Sequence, residues 1–258
     1  MRRSLGLYAN LRPVAVTEAL IDRSPLKPEI VRGTDFHLRA RAHGRHLLSA
    51  ARRGVTRQAR AFDTCTYTVA EIERVLHTAF RLAGARRRRL TVVDKANVLE
   101  TSRLWRETAR RLAAQYPETE VEYLFVDNAA MQLIRQPAHF DVIVTENMFG
   151  DILTDEASVL GGSLGMLASA SLGDGPALFE PIHGSYPQAA GRNIANPMAA
   201  ILSGALLLEH FGLKEEAETI RQAVDHTIRD GFVTEDLARP GERSCTTSEV
   251  GDRIRARI

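Results

Sequence analysis

Three short runs, residues 90–93, 121–126 and 140–144, read as strands, and each is followed within a few residues by helical apolar spacing. This alternation limits the chain to an α/β architecture, because strands buried on both faces need helices packed over them. Each run ends on, or leads into, acidic residues: Asp94, Asp127 and Glu146. In such folds the C-terminal ends of the strands gather on one side, where ligands bind. Residues 68–85 predict an amphipathic helix, with Val69, Ile72, Val75, Leu76, Ala79 and Phe80 on one stripe. Helices are also expected over residues 104–115, 129–135, 198–208 and 215–229, with a short last one from Thr247. Residues 1–16 predict a strand-like piece ending at Arg12-Pro13, since proline cannot donate to a ladder. Ser24-Pro25 reads as a turn into a short helix, and residues 178–182 as a further strand. Residues 161–175 are rich in glycine and small side chains and read as loop, hinge or boundary.

Several residues in this frame carry chemistry. Asp151 and Asp155 stand at i and i+4, so on a helix their carboxylates share a face one turn apart. Like charges so placed repel, and a cation between them, Mg²⁺ or Mn²⁺ by ligand type, would relieve that. The alternative is a solvated first turn, where aspartate is favoured. Lys95 follows a strand and can serve as a base when a cation lies nearby. Arg2 and Arg12 are fixed cations able to grip carboxylates in bidentate fashion, or else surface arginines. His183-Gly184-Ser185-Tyr186 forms a Gly/Ser loop whose amides suit a phosphate or adenosine group, a weak motif by itself. Asn196-Pro197 predicts a helix start with Asn at the N-cap and Pro in the first turn.

Composition excludes several classes. At 258 residues, with 44% hydrophobic and 26% charged side chains, the chain can bury a substantial core. Its net charge of +2 argues against a nucleic-acid or membrane-surface partner. Residues 37–53 are basic with no strand period, but carry no interleaved aromatic residue for base stacking. The four arginines 86–89 suit a helix C-terminus before a strand better than a targeting signal. Cys65 and Cys245 form no CxxC, so neither a disulfide framework nor a zinc site is expected. Residues 1–13 show no apolar core of a signal peptide, and residues 198–208 fall short of the roughly 20 needed to span a bilayer. A cytoplasmic location is the expectation.

At Asp94-Lys95-Ala96-Asn97-Val98-Leu99 the chain resembles the metal-dependent β-decarboxylating dehydrogenases of the isocitrate/isopropylmalate dehydrogenase family. Further motifs agree: Asn10-Leu11-Arg12-Pro13, Val126-Asp127-Asn128-Ala129, the stretch from Asn147 to Asp155, and Glu180-Pro181-Ile182-His183-Gly184-Ser185 through Ile194-Ala195-Asn196-Pro197. The Asp before Lys95 points to the isopropylmalate branch and leucine biosynthesis; isocitrate enzymes more often carry His there. The resemblance implies a two-domain α/β fold. Residues 9–161 would form the metal-binding and dimerisation domain, and residues 162–258 with 1–8 the remaining NAD-binding part. It implies oxidation of a 2-hydroxy acid by NAD, then loss of CO₂. Asp127, Asp151 and Asp155 would hold Mg²⁺ or Mn²⁺. Arg2, Arg12, Lys95, Asn97, Val98 and Asp127 would bind substrate, with Lys95 and Asp127 catalytic. His183, Gly184, Ser185, Tyr186, Gln188 and Asn196 would bind the adenosine half of NAD. Lys95 and Asp127 reach the site of the other subunit in this family, so a homodimer is implied.

Three departures from the family pattern stand out. The nucleotide-binding βαβ region with which the family begins is not seen, so the chain reads as starting inside a family sequence. The family's Arg-Glu-Leu-Thr-Gly-Gly-Ile-Tyr-Phe segment is replaced, around residues 37–48, by a stretch containing His43-Gly44-Arg45-His46-Leu47-Leu48. The codons CAC GGG CGG CAT CTA CTT encode that hexapeptide, and one base later they encode Thr-Gly-Gly-Ile-Tyr-Phe. A local frameshift from near His37 to near Leu48, by mutation or sequencing error, is the expected cause, and resequencing the locus tests it. Leu47 then stands where the family's proton-donating tyrosine belongs, and turnover of the chain as written is expected to be low. The alternatives are an inactive fragment that at most dimerises, or a relative acting on isocitrate, homoisocitrate or tartrate. Finally, Gln188 replaces the family's ribose-binding Asp; its amide still bonds a ribose hydroxyl but repels a 2′-phosphate less.

Overall fold

The computed structural model describes residues 4–41 and 64–258. In chain order, β1 is Ala9–Ala15, α1 Pro28–Val31, β2 Asp35–Arg41, α2 Val69–Gly84, β3 Arg89–Asp94, α3 Glu100–Ala113 and β4 Glu120–Phe125. There follow α4 Val126–Arg135, β5 Val142–Thr145, α5 Asn147–Ser158, β6 Ala168–Leu172, β7 Leu178–Pro181, α6 Met198–His210, α7 Lys214–Arg229 and α8 Thr247–Arg255. Among the described residues the strands make one mixed sheet in the order β4-β3-β5-β2-β1-β6-β7. Strands β2, β5, β3 and β4 run parallel; β1 is antiparallel to β2, β6 to β1, and β7 to β6.

Alternation along the parallel strands builds a core on each face. Leu90 and Val92 of β3 and Val142 and Val144 of β5 pack with Ile72, Val75, Leu76, Phe80 and Trp105 of α2 and α3. Val93, Ile143, Phe36 and Leu38 point the other way, toward α4, α5, α7 and α8. Helix α2 begins with a capping box: the Thr68 hydroxyl accepts from the Glu71 amide, and the Glu71 carboxylate accepts from the Thr68 amide at 2.9 Å. The arginines 86–89 have a structural role. The side chain of Asp141 is fully buried and accepts from Arg86 Nε at 2.8 Å and from the Arg87 amide at 3.0 Å. They tie the end of α2 to the start of β5.

Four expectations are corrected. Strand β1 does not end at Pro13 but continues to Ala15. Proline is tolerated because β6 pairs only with Ala9, Asn10 and Leu11, leaving the Pro13 side of the ladder without a strand to receive a donor. The supposed loop at 161–175 contains β6, a strand of alternating Ala and Ser that no strong apolar signal marks. Pro197 is itself the N-cap of α6, with Asn196 one residue earlier; the Asn196 side chain accepts from the Met198 amide at 2.9 Å.

The fourth concerns residues 37–53. Their first part, through Arg41, is the second half of β2, paired with β1 on one side and β5 on the other. Residues 42–63, including most of the stretch assigned to a frameshift, lie outside the described residues. Within β2, His37 is half-buried and Arg39 buried, and among the described residues His37 Nδ1 and Arg39 Nε lack partners. Burial lowers the His37 pKa to about 4, aided by Arg86, and the Arg39 pKa to about 10. Polar groups stand where a strand covered on both faces calls for apolar ones. Arg39→Leu is therefore expected to stabilise the fold by about 1–3 kcal/mol. A thermal melt should show a midpoint several degrees higher, and a lower midpoint would refute the assignment of Arg39 as a buried liability.

Candidate active site

The C-terminal ends of β3 and β5 lie side by side, since Val93 pairs with Thr145 and the Thr145 hydroxyl donates to the Val93 carbonyl at 2.9 Å. This register brings Asp94-Lys95 beside Glu146-Asn147. Asp94, 1% exposed, accepts two bonds from Arg106 at 2.7 and 2.9 Å and one from the Ala96 amide at 2.9 Å. It holds the turn that carries Lys95. Lys95 Nζ donates to Asp127 Oδ1 at 2.6 Å, and this bond lowers the Asp127 pKa from its ordinary value. Asp127 sits in the first turn of α4, directly after β4, rather than ending the strand. Asn97 and Val98 are exposed in the turn closed by the Val98 and Leu99 amides on the Lys95 carbonyl.

Asp151 and Asp155 lie on α5 and are both exposed. Gly150 lets that helix approach β2: a Cβ there would stand 2.3 Å from the Ala40 Cβ. Arg12, buried on β1, donates through Nη2 to Asp151 Oδ1 at 3.2 Å and through Nε to Asn10 Oδ1 at 2.5 Å. Burial and the Asp151 charge raise the Asp155 pKa, with Arg12 opposing. Arg12, Asp151 and Asp155 thus form one group, Lys95 and Asp127 another. Among the described residues, no three His, Cys, Asp or Glu side chains of one chain converge closely enough to hold a metal. Two like-charged carboxylates one turn apart, one reluctant to ionise, nevertheless fit a divalent cation that would complete its ligands from another copy. Arg2 lies outside the described residues.

His183, Gly184, Ser185, Tyr186 and Gln188 are exposed on the connection between β7 and α6, and Asn196 at its end is half-buried. Left-handed conformations at Gly191 (φ 76°) and Asn193 (φ 55°) turn this connection toward α8, where the Thr247 amide donates to the Asn193 carbonyl at 2.9 Å. An exposed loop of small and polar residues, held at its base, fits a nucleotide.

Sequence reasoning passed over three supports. Asn10 orients Arg12 and donates to Ser171 at 3.0 Å; its signal was its place two residues before Arg12, on the same strand face. Asp94 was visible as a strand-end acid. Glu146 left no signal of its unusual state: it is 4% exposed, its Oε2 has no partner among the described residues, and burial raises its pKa to about 7. A hydrogen bond from Tyr67 opposes that rise, and the nearby Asp94 charge adds to it.

The chain belongs to the isocitrate/isopropylmalate dehydrogenase family, whose model matches residues 1–254. It is 52% identical to the 3-isopropylmalate dehydrogenase of Geobacillus kaustophilus, covering 100% of this chain and 71% of that protein. To the enzyme of the same name from Moorella thermoacetica it is 50% identical, covering 100% of this chain and 73% of that one. Among solved structures, the isocitrate dehydrogenase of Methylococcus capsulatus superposes with a TM-score of 0.86 at 37% identity, over 98% of this chain and 74% of that one. A beta-decarboxylating dehydrogenase from Thermococcus kodakarensis gives 0.79 at 36% identity, over 99% of this chain and 70% of that one.

Glu146 makes a pH prediction. Its folded pKa lies above its unfolded value of 4.5, so its contribution is complete below pH 4.5 and is lost as pH rises through about 7. Glu146→Gln should abolish that loss, which amounts to roughly 3 kcal/mol. Denaturant unfolding of both proteins at pH 5 and pH 8 checks it: a stability gap that does not widen toward pH 8 would refute the buried neutral carboxyl.

Proposed function

We propose that this protein is an NAD-dependent, metal-requiring dehydrogenase that oxidises and decarboxylates 3-isopropylmalate to 4-methyl-2-oxopentanoate in leucine biosynthesis, in the cytoplasm. The observation that carries this reading is the register setting Lys95 and its Asp127 partner at the C-terminal edge that also presents Arg12, Asp151 and Asp155. The identity of about 50% to 3-isopropylmalate dehydrogenases supports the substrate.

In this reading Arg12, braced by Asn10, grips a substrate carboxylate, with Arg2 as a second cation. Lys95 takes the proton of the substrate hydroxyl as the hydride leaves the same carbon. Asn97 and Val98 lie against the substrate. Asp151 and Asp155, with Asp127 of a second copy, would hold Mg²⁺ or Mn²⁺. His183, Gly184, Ser185, Tyr186, Gln188 and Asn196 would hold the adenosine half of NAD. Bound NAD supplies the hydride acceptor, and the divalent ion supplies Lewis-acid polarisation of the hydroxyl and the carbonyl it becomes. Loss of CO₂ from the carbon beside that carbonyl leaves an enolate, which needs a proton on carbon. Leu47, at the expected place of the acid, cannot give one.

A homodimer supports this site. Met148 and Ile152 on α5 and Val159 just past its end follow one stripe, with Asp155 on the same face, and Met131 and Ile134 stand exposed on the adjoining α4. Ile152 is 59% exposed and Met131 56%, too much apolar surface for an uncovered helix pair. A second copy laid on this stripe would bring its Lys95 and Asp127 toward Asp151 and Asp155. The division after residue 161 then marks a hinge at Gly162, whose φ is 89°.

Two measurements test the reading. NADH formation with Mn²⁺ should be slow in the chain as written and at least tenfold faster once residues 43–48 read Thr-Gly-Gly-Ile-Tyr-Phe, general acid catalysis being worth about 10²–10⁴-fold. The restored chain should prefer 3-isopropylmalate to isocitrate or tartrate; the opposite preference would sink the substrate assignment. Separately, Ile152→Glu should convert a dimer to monomers in sedimentation velocity, and an unchanged sedimentation coefficient would count against the α4–α5 interface.

A further inference from the structure

Asp236 lies in the turn between α7 and α8, and no motif marks it. Its carboxylate nevertheless collects three donors from three parts of the chain. The Ser163 hydroxyl, in the glycine-rich stretch after α5, donates to Oδ2. Asn196 Nδ2, at the end of the loop between β7 and α6, donates to the same oxygen at 3.0 Å. The Thr234 hydroxyl donates to Oδ1 at 2.5 Å.

The turn bearing Asp236 is firmly held. Arg23 Nη1 donates to the Leu237 carbonyl at 2.7 Å and to Glu242 Oε2 at 2.8 Å. That pairing is strong enough to lower the Glu242 pKa to about 2. Ser163 is fixed in turn, since its hydroxyl accepts from the Gly165 amide at 2.9 Å. Asn196 is packed as closely as it is bonded: a Cβ on Gly165 would stand 2.7 Å from the Asn196 Cβ and 2.8 Å from its Nδ2. With its Oδ1 accepting from the Met198 amide, the Asn196 side chain is fastened at both ends, each keeping one hydrogen-bonding position.

We infer that Asp236 is a positioning residue for dinucleotide binding: it fastens Asn196, and so the end of the nucleotide loop, to the hinge at Ser163–Gly165 and to the anchored turn at Thr234–Leu237. The inference rests on the proposed role of residues 183–196 in holding NAD. It adds that the pose of the loop is set by a carboxylate that does not itself touch the cofactor. An exposed aspartate bonded across three segments contributes little to global stability but restricts the loop, which lessens the ordering cost when ligand binds.

Calorimetric titration of the full chain with NAD, AMP and nicotinamide mononucleotide tests this. Asp236→Ala should weaken NAD and AMP about three- to tenfold and leave nicotinamide mononucleotide unchanged, because only the adenosine half meets this loop. Gly165→Ala, which must displace Asn196 while keeping Asp236, should produce the same pattern. Circular dichroism and the thermal midpoint of each variant show that the fold persists. Equal NAD affinity in the unaltered chain and both variants overturns the inference alone, as does equal weakening of all three ligands. Absence of NAD and AMP binding by the unaltered chain overturns the cofactor reading, and the inference with it.

Discussion

The pairing of β5 with β2 on one side and β3 on the other is the constraint on which the rest depends. It is short, running over Val142–Thr145, but it is buried on both faces and sets the heights of three strand ends at once. The Thr145–Val93 hydrogen bond locks the end of that register inside the sheet, where a one-residue slip would turn every core side chain to the wrong face. From it follow the positions of Asp94, Lys95 and Glu146, and the launch of α5 with Asp151 and Asp155. Gly150 then lets α5 lie close enough on β2 for Arg12 of β1 to reach Asp151.

Charge at this edge is arranged so that few groups stand alone. Asp94 is neutralised by Arg106, Asp151 by Arg12, and Asp127 by Lys95. Glu146, between the strand ends, escapes pairing by holding its proton near neutrality. Asp155 feels the like charge of Asp151 one turn away, offset only in part by Arg12, and among the described residues it makes no ion pair; a divalent ion at the Asp151–Asp155 step would relieve that repulsion. The carboxylate that would complete such a site is held by Lys95 within its own chain, which fits a site assembled from two copies.

Much of this was legible in the sequence. Apolar spacing located α2 within a residue at each end, because Thr68 caps it and its stripe is unbroken. The motifs around Lys95, Asp127 and Asp151 were legible because their residue types are dictated by chemistry. What escaped were elements whose stabilisation is not local. Strand β6 is Ala-Ser-Ala-Ser-Leu, with no propensity of its own, and forms because β1 and β7 flank it. The strand character of residues 37–41 was hidden by its His and Arg residues, and it is pairing with β1 and β5 that makes the segment a strand. Asp236 could not be found from its neighbours, since beyond Thr234 its partners lie 40 and 73 residues away.

By itself the sequence determined the α/β class, the identity of the chemical groups and the family, because these follow from periodicity and from runs of residues adjacent along the chain. It also carried the departure from the family segment at residues 43–48, which is read from residue types alone. Tertiary structure alone decided which groups meet: that Lys95 is held by Asp127 and Arg12 by Asp151, that Glu146 is buried with no counter-ion among the described residues, and that Asp236 gathers Ser163 and Asn196. The reason is that protonation and pairing depend on burial and on contacts between distant segments, and neither exists until strand register and helix packing have brought those segments together.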